Sequence, residues 1–175
     1  MMKSKRVVRA LMALSIAPWG AARALDCGTG IPTTVSGNVS TLNVSPTQQA
    51  GKICLTLTDP TGRERFNACG ALLGQTIGSD PDTGQSSLNH TALFKLPDLF
   101  QTANDVAQIT GVLATDDSGQ PCAFSVVEHI TSFAAGQGIF RGATIDAYAT
   151  GSISFCPNQN LNTFSLSGQA CLRRR

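Results

Sequence analysis

The chain has 175 residues, 14% charged and 42% hydrophobic, with 13 Lys and Arg against 11 Asp and Glu. Its basic excess sits in the first two dozen residues, so no later surface can neutralise a run of phosphates, and nucleic-acid binding is disfavoured. The remaining stretch of about 150 residues supports one domain with a real core and is too short for two.

Lys3, Lys5, Arg6 and Arg9 open the chain, and a short apolar run follows from Ala10 to Trp19. Ala22-Arg23-Ala24 then places small residues at the two positions a signal peptidase reads, so residues 1–24 are expected to be a cleaved secretory signal. The run is far shorter than the roughly 20 residues of a membrane-spanning helix, and no later segment comes closer, so no transmembrane segment is expected. Asp26 stands where a lipid anchor at Cys27 would require a small residue. The expected mature domain is 25–175, secreted or periplasmic. Five of the 13 basic residues (Lys3, Lys5, Arg6, Arg9 and Arg23) leave with the signal. Eight then face 11 acidic ones, a balance of about −3. Three of those eight are the terminal Arg173, Arg174 and Arg175, read as a frayed, solvated end.

Strand signals dominate from there. Ile53, Leu55 and Leu57 alternate with Cys54, Thr56 and Thr58, the period of a half-buried strand. Asp59-Pro60-Thr61-Gly62 is turn chemistry, and a return strand runs from Phe66 to Leu73, interrupted by Gly70. The segment Ile77 to Ser87, rich in Gly, Asp and Ser, reads as a loop. Strands follow over Leu88 to Phe94, Ala107 to Thr115 and Cys122 to Thr131, with a turn of helix expected between Leu96 and Val106. Gly136-Gln137-Gly138 breaks the pattern. Ala143, Ile145, Ala147 and Ala149 then alternate with polar neighbours, and Phe164 and Leu166 mark a last strand. About eight to ten short strands separated by turns predict an all-β fold, a single antiparallel barrel or sandwich.

All six cysteines, Cys27, Cys54, Cys69, Cys122, Cys156 and Cys171, fall in the mature part, and an even count in an exported chain predicts disulfides. Six cysteines allow fifteen pairings. A two-residue turn at Thr61-Gly62 puts Cys54 directly opposite Cys69, whereas a longer loop around Pro60 shifts that register. The absence of any C-x-x-C pair or Cys/His cluster argues against zinc and predicts no metal. Asp80-Pro81-Asp82-Thr83-Gly84 has the alternate carboxylates of a calcium loop without its later oxygens or closing Glu, and reads as a solvated turn.

Strand parity singles out two ionisable groups. His90 shares a face with Leu88, Ala92 and Phe94, and Glu128 shares one with Cys122, Phe124, Val126 and Ile130. If both faces enclose one lumen, His90 and Glu128 form a proton-transfer pair tuned toward neutrality by lost hydration. The plainer reading makes His90 a satisfied core histidine and Glu128 a strand-end group reaching water or a backbone donor. His129 lies on the opposite face. Asp146 and Tyr148 share the polar face of their strand, as ligand-binding groups in a pocket or as an ordinary exposed face. No G-x-S-x-G elbow, H-E-x-x-H helix or phosphate-binding glycine loop is present. Trp19 is the only Trp and leaves with the signal, and one Tyr and eight scattered Phe make a poor platform for stacking sugars or single-stranded nucleic acid.

Three stretches resemble the barrel superfamily of allene oxide cyclases and plant dirigent proteins. The first is Leu88-Asn89-His90-Thr91-Ala92-Leu93-Phe94 with the following Gln101-Thr102-Ala103-Asn104-Asp105. The second is the strand–turn–strand from Ala107 to Thr131. The third is the glycine-rich Gly136-Gln137-Gly138-Ile139-Phe140-Arg141-Gly142-Ala143-Thr144. Together they cover Gly84 to Phe155, about half of the mature chain, with Ile145 where a further glycine is common and with cysteines the family does not need. The resemblance implies an eight-stranded barrel with an apolar lumen and a homo-oligomer, often a trimer. The superfamily's known activities are cyclisation of an unsaturated epoxide fatty acid and steering of phenoxy-radical coupling, and fold likeness transfers neither. The expected functions are therefore a non-catalytic module that binds a small apolar molecule or a partner, an envelope-associated structural protein with a filled barrel, or a cofactor-free cyclase or isomerase.

Overall fold

The computed structural model describes residues 25–174; the expected signal, with Trp19, and Arg175 lie outside them. Ten strands follow in order: β1 (Ile31–Ser45), β2 (Gln48–Thr58), β3 (Glu64–Asp80), β4 (Gln85–Leu93), β5 (Leu99–Thr102), β6 (Asp105–Thr115), β7 (Pro121–Ile130), β8 (Phe133–Gln137), β9 (Thr144–Ser154) and β10 (Leu161–Leu172). All pair antiparallel, and the contact between β3 and β4 closes eight of them, β1-β2-β3-β4-β6-β7-β9-β10, into a ring. β5 and β8 form a short extension that leaves the ring at the lower half of β4. The expected all-β barrel is therefore what the chain forms.

Three hairpin turns begin with an Asp and carry a glycine at positive φ near their end. Asp59 Oδ1 accepts from the backbone N–H of Thr61 and Arg63, and Asp116 Oδ1 accepts from those of Ser118 and Gln120. Asp80 Oδ1 accepts from Asp82 N–H at 2.9 Å, which makes the calcium-like segment an Asp-capped turn. Gly62, Gly84 and Gly119, at φ 82°, 67° and 81°, supply the reversed backbone that a side chain would resist.

Two expected irregular segments are strands instead. The Ile77–Ser87 loop shrinks to four residues, because β3 runs to Asp80 and β4 starts at Gln85. Its Gly and Ser residues pair across the sheet, Gly78 with Ser87 and Ser79 with Ser86. The expected helical turn between Leu96 and Val106 is absent. A turn around a cis Leu96–Pro97 bond leads into β5, whose Leu99, Phe100 and Gln101 pair with β4.

Inward residues alternate around the ring, with Val35 and Val39, Ile53, Leu55 and Leu57, Leu72, Ile145 and Leu166 all buried. One end is packed with aromatic rings. Phe66, Phe94, Phe100, Phe133 and Phe140 stand with neighbouring centroids 4.8–6.0 Å apart, mostly edge-to-face or tilted. Phe140 is contributed by the glycine-rich turn after β8 and is 1% exposed.

Three disulfides join Cys27 to Cys171, Cys54 to Cys69 and Cys122 to Cys156, and no cysteine is free among the described residues. The β2–β3 loop is longer than two residues, with Asp59 and Arg63 bonded across it. A bulge at Arg65, between the pairs Thr58–Glu64 and Leu57–Phe66, restores the register and brings Cys54 opposite Cys69. Cys27–Cys171 spans 144 residues and ties the entering chain to the end of β10, whereas Cys54–Cys69 spans 15 within one hairpin. Chain-entropy scaling gives about 5 kcal/mol for the long closure and about 3 for the short one. Replacing Cys27 and Cys171 by Ser should thus lower stability to urea by more than replacing Cys54 and Cys69, by about 1–2 kcal/mol. The reverse order would show that the hairpin bridge, not the long closure, restrains the unfolded chain.

Candidate functional site

The site forms where the sheet forks. β4 pairs with β6 from Gln85 to Leu88 and with β5 from Thr91 to Leu93, so Asn89 and His90 sit where one neighbour is exchanged for another. Backbone groups at such a point lose their ladder partners and need others. Side chains of the β5–β6 corner provide them: Thr102 Oγ1 accepts from His90 N–H at 3.1 Å, and Asn104 N–H donates to Asn89 Oδ1 at 3.0 Å. Asn104 adopts φ 58° to turn this corner, and Asp105 follows as the first residue of β6.

Asp105 is fully buried and lies beside the imidazole. Its Oδ2 accepts both the Thr102 hydroxyl and, at 3.0 Å, His90 Nδ1–H. Two donors on one oxygen fix the imidazole tautomer with its proton on Nδ1. On the far side of β6, β7 carries Glu128, 7% exposed, whose Oε1 approaches the same Nδ1 to 3.3 Å. It receives no hydrogen bond there, because the one Nδ1 proton is already directed at Asp105; Asp105 Oδ1 likewise has no partner. His90 lies against Gly74 of β3, where a Cβ would stand 3.0 Å from the ring's Cδ2 and Nε2. Glycine there lets the imidazole rest on bare backbone.

Electrostatics follow from this enclosure. Burial alone would push the His90 pKa down, but the hydrogen bond to Asp105 and the charges of Glu128 and Asp105 outweigh it and leave it raised. Burial pushes the Glu128 carboxyl up, and the nearby Asp105 adds to the rise while His90 opposes it. Both groups therefore hold a proton more tightly than they would in water.

His90 and Glu128 face a lumen of about 230 Å³. Val35, Leu72 and Phe100 lie along its closed end, and the hairpin residues Thr47, Ser79 and Gly84 lie at the other, where it reaches the rim of the ring. Among the described residues, His90 and Glu128 are the only ionisable side chains in its lining. Near the rim Asn162, fully buried, donates to Asn43 Oδ1 and accepts from Ser154 N–H, so the polar atoms there are satisfied within the wall.

The structure thus brings His90 and Glu128 together, and it turns Asp146 and Tyr148 away. On β9 it is Ile145, Ala147 and Ala149 that line the lumen, so the alternate residues Asp146 and Tyr148 lie on the outer surface. There Asp146 Oδ1 sits 2.8 Å from His129 Nε2, and the His129 ring stacks on Tyr148 at 4.4 Å. This corrects the pocket reading of that pair: one-residue parity puts a side chain on one wall or the other. Asp105 was missed as a site residue. It opens its strand after a corner of polar residues, and its partner His90 is 15 residues away, so no local spacing announces the contact.

Comparison with protein-family models, curated proteins and solved structures returns no match to this chain.

The two His–Asp contacts differ in burial, and their energetics should differ accordingly. Asp105→Ala strips a fully buried pair and should cost about 3 kcal/mol or more. Asp146→Ala, at a contact one-third exposed on both sides, should cost about 0–1 kcal/mol. Urea titration of both variants checks the contrast, and equal losses would mean that the inner cluster is solvated.

Proposed function

We propose that this is an exported binding protein that takes a small, largely apolar molecule into the lumen of the ring, with a polar group of that molecule set toward His90 and Glu128. The observation that carries this reading is an apolar lumen, reaching one rim, with a single ionisable pair in its wall. Its volume, about 230 Å³, is below the roughly 300–1,000 Å³ of drug-sized sites, so the ligand is correspondingly small. The three disulfides support export, since such bonds persist in oxidising compartments. No helix among the described residues is long and apolar enough to cross a membrane. A structural protein filled by its own side chains fits less well, because small inward residues such as Ala147, Ala149 and Gly74 leave space that larger ones would fill.

The 3.3 Å approach of His90 to Glu128 favours a second reading, a cofactor-free cyclase or isomerase acting on the molecule in the lumen. That activity, and the trimer implied by the allene oxide cyclase and dirigent resemblance, stay proposals of lower rank, because binding needs only the cavity.

Native mass spectrometry of the exported protein should show a small-molecule adduct that organic extraction releases. Ala149→Leu projects bulk into the lumen and should abolish the adduct while costing about 1–3 kcal/mol of stability. Protein that carries no adduct, and takes up no small apolar probe that Ala149→Leu excludes, would remove the binding proposal. Turnover of the extracted molecule by wild type, lost in Glu128→Gln with binding retained, would establish the catalytic reading instead.

A further inference from the structure

Three donor side chains converge inside the wall. His90, Asp105 and Glu128 come from β4, β6 and β7, three consecutive strands of the ring, and one ligand atom from each lies within 4.8 Å of the others. Two of their oxygens, Asp105 Oδ1 and Glu128 Oε1, are buried and accept no hydrogen bond. A buried acceptor left in that condition is costly, and the one N–H close to either atom, His90 Nδ1–H at 3.3 Å from Glu128 Oε1, is directed at Asp105 Oδ2 instead. Both side chains are more than nine-tenths buried, so the cluster differs from an acidic patch on a surface, where water would satisfy it.

We propose that His90, Asp105 and Glu128 bind one divalent transition-metal ion of the zinc class. A tetrahedral ion with bonds of about 2.0–2.2 Å holds its donor atoms about 3.3 Å apart. The separations from His90 Nδ1, 3.0 Å to Asp105 Oδ2 and 3.3 Å to Glu128 Oε1, are near that spacing, whereas the whole set spans up to 4.8 Å, so the two carboxylates close toward each other around the ion. Charge also balances: two carboxylates cancel a divalent cation, and the imidazole enters neutral. On binding, the neutral imidazole changes tautomer: the proton leaves Nδ1, Nε2 takes one up, and the freed Nδ1 lone pair makes the metal bond. The donor set selects the class. Calcium takes six to eight oxygens and magnesium a near-octahedral oxygen shell, whereas one imidazole and two carboxylates suit zinc and its neighbours.

The surroundings supply what a metal site needs beyond its ligands. The Thr102 hydroxyl donates to Asp105 Oδ2 and orients that carboxylate. Gly74 backs the imidazole, whose Nδ1 edge meets the two acids. Three protein ligands leave one position for a water or for a polar atom of a molecule in the lumen, the arrangement of a site that does more than brace the fold. The ion does not depend on the apolar-ligand proposal, and the metal alone tests it.

Protein with its disulfides intact, first stripped with chelator, should bind Zn²⁺ at one equivalent per chain in calorimetry. Co²⁺ in its place should give the visible absorption of a four-coordinate ion. Glu128→Gln and Asp105→Asn should each weaken Zn²⁺ at least about tenfold, and Thr102→Val, acting through Asp105, about tenfold or more. Ca²⁺ and Mg²⁺ should not compete, and His129→Ala on the outer face should leave binding unchanged. If Asp105→Asn does not fold, Glu128→Gln and the wild-type Co²⁺ spectrum decide. The proposal is overturned if stripped wild type takes up no stoichiometric Zn²⁺. It is equally overturned if uptake is indifferent to Glu128→Gln or is lost in His129→Ala, which would place the ion on the outer His129–Asp146 pair.

Discussion

Pairing of β3 with β4 is the constraint on which the rest hangs, because it converts a strip of strands into a ring with an inside. Without it, β3 would end the sheet with unpaired N–H and C=O groups, and the inward row of Leu72, Gly74 and Thr76 would face water. Once the ring closes, strand alternation does the sorting. Away from the bulged rim, odd residues of β1, β2 and β9 and even residues of β3, β4 and β10 share one interior, and a shift of one residue in any strand would empty its apolar side chains into solvent.

Closure alone would give a filled core; residue size along the axis gives a lumen. At one end the phenylalanines interlock and seal the ring. Toward the other end inward positions hold Ala147, Ala149, Gly74 and Thr76, which cannot meet across the middle. Glycine also lets strands approach closely. A Cβ at Gly151 would stand 1.9 Å from the Thr163 carbonyl oxygen, so the close approach of β9 to β10 requires glycine there.

The legible part of the fold was carried by strands with strong apolar alternation. Ile53, Leu55 and Leu57 declared β2, and Ile145, Ala147 and Ala149 declared β9, with the correct face inward. β1 did not declare itself, because its inward Thr33, Gly37 and Thr41 are as polar or small as its outward Thr34, Ser36 and Ser40. Burial there comes from partners on both sides, which no local window contains. The same limit explains the Ile77–Ser87 stretch, where Gly and Ser read as loop yet the ladder extends through them. At the site, parity found His90 and Glu128 because each interrupts an apolar row. Asp105 interrupts nothing, and only the fork in β4 shows why it is buried. For Asp146 and Tyr148, alternation gave the right grouping, and closure of the ring decided that their face was the outer one.

What the inner cluster costs bears on what it is for. Desolvating three ionisable groups is unfavourable, and apolar residues of similar volume at buried ionic sites are often neutral or stabilising by comparison. A ring already held by disulfides and an aromatic floor gains no stability from a His–Asp–Glu arrangement with two oxygens unserved. The groups are nevertheless tightly positioned: a sheet fork exposes the His90 backbone, Thr102 both accepts from that backbone and donates to Asp105, and a glycine clears the imidazole's flank. Such supporting contacts fix the direction of donor atoms more than they lower the energy of the fold. A well-braced cluster with two unserved oxygens, two of its side chains in the lumen wall, is what the proposed ion would answer.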